Sequence, residues 1–355
     1  MKPIRAGDHG QHIHDVQVRL SSLGHRLDPD EMASSRFGPA TEGAVRAFQQ
    51  QRGLLVDAVV GPATWRELVE AGYALGDRVL YLRVPPFRGD DVRALQERLD
   101  QLGFDPGRAD GIFGDQTARA VHDFQRNVGL ESDGIVGTTT LDALGRIRPA
   151  QPGPGRTTVR EGESLRTRAT LAGRIVVLDA GHGPADPGGV GPAGLAEETA
   201  TLDLVETLGT ELARQGAAAL LLRPPGQDPS MEDRVGAARA SGADALLSIH
   251  LNSHDDPSAE GSSSYYFGWM GSVSVPGRAL ADLIQDELAE LGLRDGRTHP
   301  KGYPLLRETP MPAVQVEPCF ITNPKEESLL AEEGFRRDVA RALARGLERF
   351  FAGPS

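Results

Sequence analysis

Cysteine occurs once in the 355 residues, at Cys319, so no disulfide can close within the chain and a disulfide framework is excluded. No stretch approaches the roughly 18 consecutive apolar residues of a membrane-spanning helix. Met1 to Gly10 lack the apolar core of a signal peptide. The expected location is therefore cytoplasmic, or the cell wall if another export route or a truncated start is involved. Positive charge is short as well. Against 50 Asp and Glu there are 38 Lys and Arg, a net −12, which argues against a nucleic-acid role and against general attraction to anionic membranes. What remains is a chain long enough for two or three domains, with 39% hydrophobic residues to fill their cores.

The first 146 residues contain an internal repeat. Phe37-Gly38, Thr41, Ala44-Val45, Phe48-Gln49, Gly53-Leu54, Gly61, Thr64 and Leu68 recur 76 residues later as Phe113-Gly114, Thr117, Ala120-Val121, Phe124-Gln125, Gly129-Leu130, Gly137, Thr140 and Leu144. Ile13, Val16, Leu20 and Leu23 form one helical stripe, and Val92, Leu95, Leu99 and Leu102 form its counterpart. Gly24 and Gly103 follow, where a helix C-terminus favours a left-handed residue. Each unit, 7–72 and 87–146, thus reads as a small all-α bundle of about three helices. Residues 72–88 read as a connector with at most a short helix or strand. The Pro- and Gly-rich stretch 147–172 reads as a linker.

From 173 to 352 strand and helix patterns alternate. That predicts an α/β domain with a mostly parallel twisted sheet and helices on both faces. Helices are expected over 197–215, 231–242, 276–291 and most of 326–351, and strands over 175–178, 218–222, 245–249, 263–267 and 313–316. Three strand exits carry unusual residues. The run Ile175 to Leu178 is followed by His182 between Gly181 and Gly183, Ala245 to Ile249 is followed by His250, and Ala313 to Val316 by Glu317. In open α/β sheets ligands bind outside the carboxyl ends of the strands, so these side chains converge on one crevice. Glu197 and Glu198 open the intervening helix. Two imidazoles and one carboxylate make a His₂Glu site with a fourth position open for water, which suits zinc and also other first-row divalent ions.

The motifs Leu178-Asp-Ala-Gly-His-Gly183, Asp186-Pro-Gly-Gly189, Glu197, Ser248-Ile-His-Leu-Asn252, Val316-Glu317 and Thr322-Asn-Pro324 occur in an order that resembles the zinc-dependent N-acetylmuramoyl-L-alanine amidases of the amidase-3 family. The resemblance implies one Zn²⁺ per catalytic domain, held by His182, Glu197 and His250, with Glu317 as general base. It also implies that the bond cut joins N-acetylmuramic acid to the L-alanine of the peptidoglycan stem peptide. Where the family has Glu-Thr-Gly, this chain has Glu317-Pro-Cys319, and Cys319 is expected to be a buried inert thiol. Arg223 and Arg234 match recurring arginines of the pattern, as substrate or supporting residues or as ion pairs fastening helices. Asn252 either orients substrate and ligands or caps its loop. His254 and His299 are expected at the surface, without a role in the site.

The repeats resemble the peptidoglycan-binding type 1 module. The second fits closely, whereas the first has Ser34-Ser35 and Asp57-Ala58 where the second has Asp110-Gly111 and Asp133-Gly134. Peptidoglycan or muropeptides are the partners so implied. A second reading is also open: the whole chain resembles an actinobacterial subgroup associated with control of cytoplasmic peptidoglycan-precursor synthesis. Its partner would be a cytoplasmic cell-wall synthesis enzyme.

Overall fold

A computed structural model of the chain describes residues 2–147 and 170–353. Most of the expected linker, 148–169, lies outside the described residues. The chain divides into two compact units, Met1–Glu161 with the segment Trp269–Ser272, and Gly162–Gly268 with Val273–Ser355.

In the first unit, the first repeat comprises α1 (Gln11–Ser22), α2 (Pro29–Ala33), α3 (Pro39–Gln51) and α4 (Pro62–Glu70). The second comprises α5 (Asp90–Gln101), α6 (Asp115–Asn127) and α7 (Thr138–Arg146). The apolar stripes form two separate cores, one around Ile13, Val16, Leu20, Phe37 and Phe48, the other around Val92, Leu95, Leu99, Phe113 and Phe124. Gly24 and Gly103 take the left-handed conformation, at φ 87° and 85°.

The first repeat has one helix more than expected. Asp28 caps α2, accepting from the N–H groups of Asp30 and Glu31, and Pro29 stands at a position where its missing N–H costs nothing. Glu31 on this helix accepts from the N–H groups of Ala40 and Thr41 and so caps α3 in turn. The non-glycine substitutions in this repeat leave its backbone path intact. Ser35 and Ala58 adopt φ 49° and 62°, close to the 72° of Gly111 and Gly134.

The repeated glutamines organise the turns. Gln125 donates to Asp133, the Ile135 carbonyl and Thr140, and accepts from the Gly134 N–H. Gln49 makes the same four bonds to Asp57, Val59, Thr64 and Ala58. Between the repeats, Arg52 forms a two-pronged ion pair with Asp90 at 2.6 and 2.8 Å. Replacing Gln125 with Leu strands several buried polar groups, so denaturant titration of the full chain should show the repeat unit destabilised by about 1–3 kcal/mol, and Gln49→Leu should act alike.

In the second unit a seven-stranded sheet runs β2-β1-β3-β7-β4-β5, with β6 paired to β4. The strands are β1 (Ile175–Ala180), β2 (Ala218–Leu221), β3 (Ala245–Ile249), β4 (Ser262–Trp269), β5 (Ser272–Val273), β6 (Asp295–Lys301) and β7 (Ala313–Glu317). β2, β1, β3 and β7 are mutually parallel, and β4 joins β7 antiparallel. The helices are α8 (Glu197–Arg214), α9 (Met231–Ala240), α10 (Val275–Ala289), α11 (Pro304–Arg307), α12 (Pro324–Ala331) and α13 (Glu333–Ala352).

Alternation along the strands assigns the two faces. Val176, Leu178, Leu247, Ile249, Val314 and Val316 pack with α8, α10 and α13 into the main core. On the opposite face Asp179 meets Arg234 of α9, and α9 contacts α11. The structure departs from expectation at several elements, the short β5 and α11 among them. The helix expected over 326–351 is broken at Glu332, which is extended at φ −81°, ψ 122°. β6 has no counterpart among the expected strands, because Asp295-Gly-Arg-Thr-His-Pro-Lys301 is polar and mostly exposed and carries a proline tolerated at sheet edges.

The chain leaves β1 for β2 on one side and then crosses to β3 on the other. The loops after β1 and β3 therefore flank the point where the winding direction reverses, the usual place for a ligand crevice. His182 and His250 lie on those two loops.

Candidate metal centre

β1 leaves the sheet through a strained turn. His182 has φ 60°, a conformation costly for a residue with a Cβ. Two buried arginines hold that turn. Arg234 donates to the carbonyls of Ala180, at 2.7 Å, and His182, at 2.5 Å. Arg223 donates to those of Ala180, Gly181 and Glu198. Arg234 is itself paired, at 3.0 Å, with Asp179, whose other oxygen accepts from Ser248 at 2.7 Å. A buried carboxylate is tolerable only with such partners.

The turn brings His182 beside Glu197 and His250, and the ligand atoms of the three all lie within 4.8 Å of one another. One oxygen of Glu197 stands 3.3 Å from Nε2 of His182 and 3.2 Å from Nδ1 of His250. The Glu197 carboxylate also accepts from the N–H groups of Gly189 and Leu251, each at 2.9 Å. Burial alone would push its carboxyl up, but the two imidazoles and the two N–H donors together hold it well below the usual range. The hydrogen bond to Glu197 raises His182 to about 9 against the pull of burial, and Asp186, 2.9 Å from Nδ1, adds to the rise. Close approach needs bare backbone at two points. A Cβ on Gly181 would lie 2.6 Å from the His250 ring, and one on Gly188 would lie 2.6 Å from His182.

Glu317, at the end of β7, lies in a crowded recess that still reaches solvent. One of its oxygens accepts from the Tyr265 hydroxyl at 3.1 Å, the other from Gln315 at 3.0 Å. Desolvation in the recess pushes its carboxyl up. The charge of His250 and the two donors pull it down, and Glu197 acts in the same direction as desolvation.

Comparison with known proteins decides the family. A family model for N-acetylmuramoyl-L-alanine amidase matches residues 176–349, and one for a peptidoglycan binding domain matches 9–68 and 88–144. The chain is 40% identical to the N-acetylmuramoyl-L-alanine amidase CwlM of Mycobacterium tuberculosis, across 98% of its own length and 89% of the relative's. This chain belongs to the N-acetylmuramoyl-L-alanine amidase family. It is also 33% identical to LytC of Bacillus subtilis, over 51% of this chain and 36% of the relative. Among solved structures, AmiC2 of Nostoc punctiforme is 29% identical and matches 50% of this chain and 96% of its own, with a TM-score of 0.46.

Within this amidase the other residues singled out in the sequence have distinct places. Glu198 turns away from the trio toward Thr199 and Arg223, which separates it from Glu197. Arg223 and Arg234 direct their donors to main-chain carbonyls beneath His182 and pair with the carboxylates of Glu198 and Asp179. Asn252 accepts from the Ser253 N–H, while its own backbone bonds to Cys319 and Ile321, as a loop cap does. His254 accepts from the Asp256 N–H, and His299 lies 2.7 Å from the Gly296 carbonyl. Cys319 is buried and its thiol is pushed up by burial.

Three polar contributors escape the reading of the sequence. Asp186 and Asp179 stand inside recognisable motifs, so a signal is present. Tyr265 does not, because only the pairing of β4 with β7 brings it to Glu317.

The titration of the trio predicts a pH optimum for the metal-free protein. His182 is raised from 6.5 to about 9 on folding, so its contribution is full below pH 6.5 and lost as pH climbs toward 9. Glu197 is lowered from 4.5, so its contribution is full above that value and declines progressively as pH falls below it. Thermal midpoints measured in chelator should peak between these limits, and His182→Gln should flatten the alkaline side.

Proposed function

We propose that the chain hydrolyses the amide between N-acetylmuramic acid and the L-alanine of the stem peptide, with His182, Glu197 and His250 holding one zinc ion and Glu317 acting as general base. The observation that carries this reading is the single Glu197 oxygen standing between two imidazole nitrogens, a donor set suited to zinc in a catalytic site with room for water. When bound, zinc supplies Lewis acidity, acidifying water and polarising a carbonyl oxygen.

The protein residues do the rest. Asp186 on Nδ1 of His182 leaves Nε2 facing Glu197 and the centre, the arrangement by which an outer carboxylate fixes an imidazole's tautomer. Glu317 takes a proton from the attacking water onto a carboxylate oxygen and delivers it to the departing amine nitrogen. Desolvation shifts this carboxyl upward, the direction that strengthens it as a proton acceptor. The helical repeats, matching a peptidoglycan-binding family, would raise the local concentration of polymer at the site. A purely regulatory protein has no need of the assembled trio, and family membership favours the hydrolase. Among the described residues no helix is long and apolar enough to cross a membrane.

Metal content and release of stem peptides from isolated peptidoglycan should be measured on the same samples. His182→Ala and His250→Ala should lose stoichiometric zinc. Glu317→Ala should keep zinc and lose about 10²–10⁴-fold in turnover, the usual contribution of a general acid–base group. Full zinc occupancy in both histidine variants would refute the ligand assignment.

A further inference from the structure

We propose that Tyr265 and Gln315 are positioning residues for Glu317, clamping its two carboxylate oxygens from the floor of the sheet so that the group is held in one orientation. The inference rests on the reading of Glu317 as the base, and nothing in the family match assigns either residue.

The clamp follows from strand register. Tyr265 pairs with Gln315 and Ser263 with Glu317 across antiparallel β4 and β7, so all four side chains share one face of the sheet. That face is the one away from the main core, because Val314 and Val316 occupy the other. Tyr265 reaches Glu317 along the diagonal, a span that suits an aromatic side chain. Gln315, two residues before Glu317 on the same strand, reaches it along the strand. The Tyr265 ring is confined by His299, with centroids 5.8 Å apart, and by Tyr303, at 6.1 Å. A hydroxyl on a ring so enclosed has little freedom to swing away.

The direction of the Tyr265 bond is also determined. Desolvation and the nearby Glu317 charge raise the phenol far above its ordinary value, so it stays protonated and can only donate to the carboxylate. Each Glu317 oxygen spends one lone pair on its donor and keeps the other for the transferred proton. The charged and titratable groups around Glu317 are His250 at the exit of β3, Glu197 at the start of α8, Tyr265 on β4, Lys301 at the end of β6, and Tyr303 just before α11. Of the groups that pull Glu317 down, the two donors can be removed without touching the trio.

The test uses the zinc-loaded full chain with Tyr265→Phe and Gln315→Met, each checked for zinc content. A hydrogen bond to an ionised group accounts for roughly a tenfold to hundredfold effect. Each variant should lose that much in kcat while KM changes by less than about twofold. The acid limb of the rate profile should move to higher pH, because the removed donor had favoured the carboxylate. Carbon-13 NMR of the Glu317 carboxyl, assigned by its loss in Glu317→Gln, should show the same upward move without any need for turnover. If the wild type hydrolyses nothing, the amidase reading fails, and the NMR titration still decides the clamp. A rate profile and a carboxyl titration unchanged in both variants would overturn it.

Discussion

The carboxylate of Glu197 is the joint on which this site depends. It is buried, and an ionised group there is costly unless its lone pairs are filled. The structure fills them from four directions. Gly189 comes from the loop after β1, Leu251 from the exit of β3, and the two imidazoles from opposite sides of the crevice. Because Glu197 is the first residue of α8, one side chain ties a helix start to two strand ends. The dipole at that helix end favours the same negative charge.

Outward from that joint the supports are polar and main-chain directed. Arg234 and Arg223 hold the carbonyls of the β1 exit, Asp179 neutralises Arg234, and Ser248 completes Asp179 across the β1–β3 pair. The Arg234–Asp179–Ser248 part of this chain of bonds lies on the sheet face opposite the aliphatic core. Glu197 itself enters from α8, the helix that packs on the aliphatic face, so the site is braced from both sides of the sheet. The helical repeats use polar bonds in a similar way, with Gln49 and Gln125 bracing turns around small apolar cores.

Residues whose meaning is local are readable in the sequence. His182 and His250 follow apolar strands, His182 between two glycines, and the internal repeat identifies both helical units. Local pattern does not choose between Glu197 and Glu198. The resemblance favours Glu197, and the structure turns Glu198 toward Arg223. Contacts set by long-range pairing are not readable. Tyr265 lies 52 residues from Glu317 along the chain, and the register that joins them depends on β4 entering the sheet antiparallel. β6 is hidden for another reason, since an edge strand need not alternate or be apolar. The short α2 has a legible signal in Asp28-Pro29, a cap followed by a proline at the first helical position.

The central claim is that His182, Glu197 and His250 together hold zinc. X-ray absorption at the zinc edge of the zinc-loaded full chain tests it most directly. The account predicts one zinc per chain, with two imidazoles and otherwise only oxygen in its first shell. A sulfur neighbour, which Cys319 as the single cysteine could supply, or a shell with fewer than two imidazoles, would contradict it.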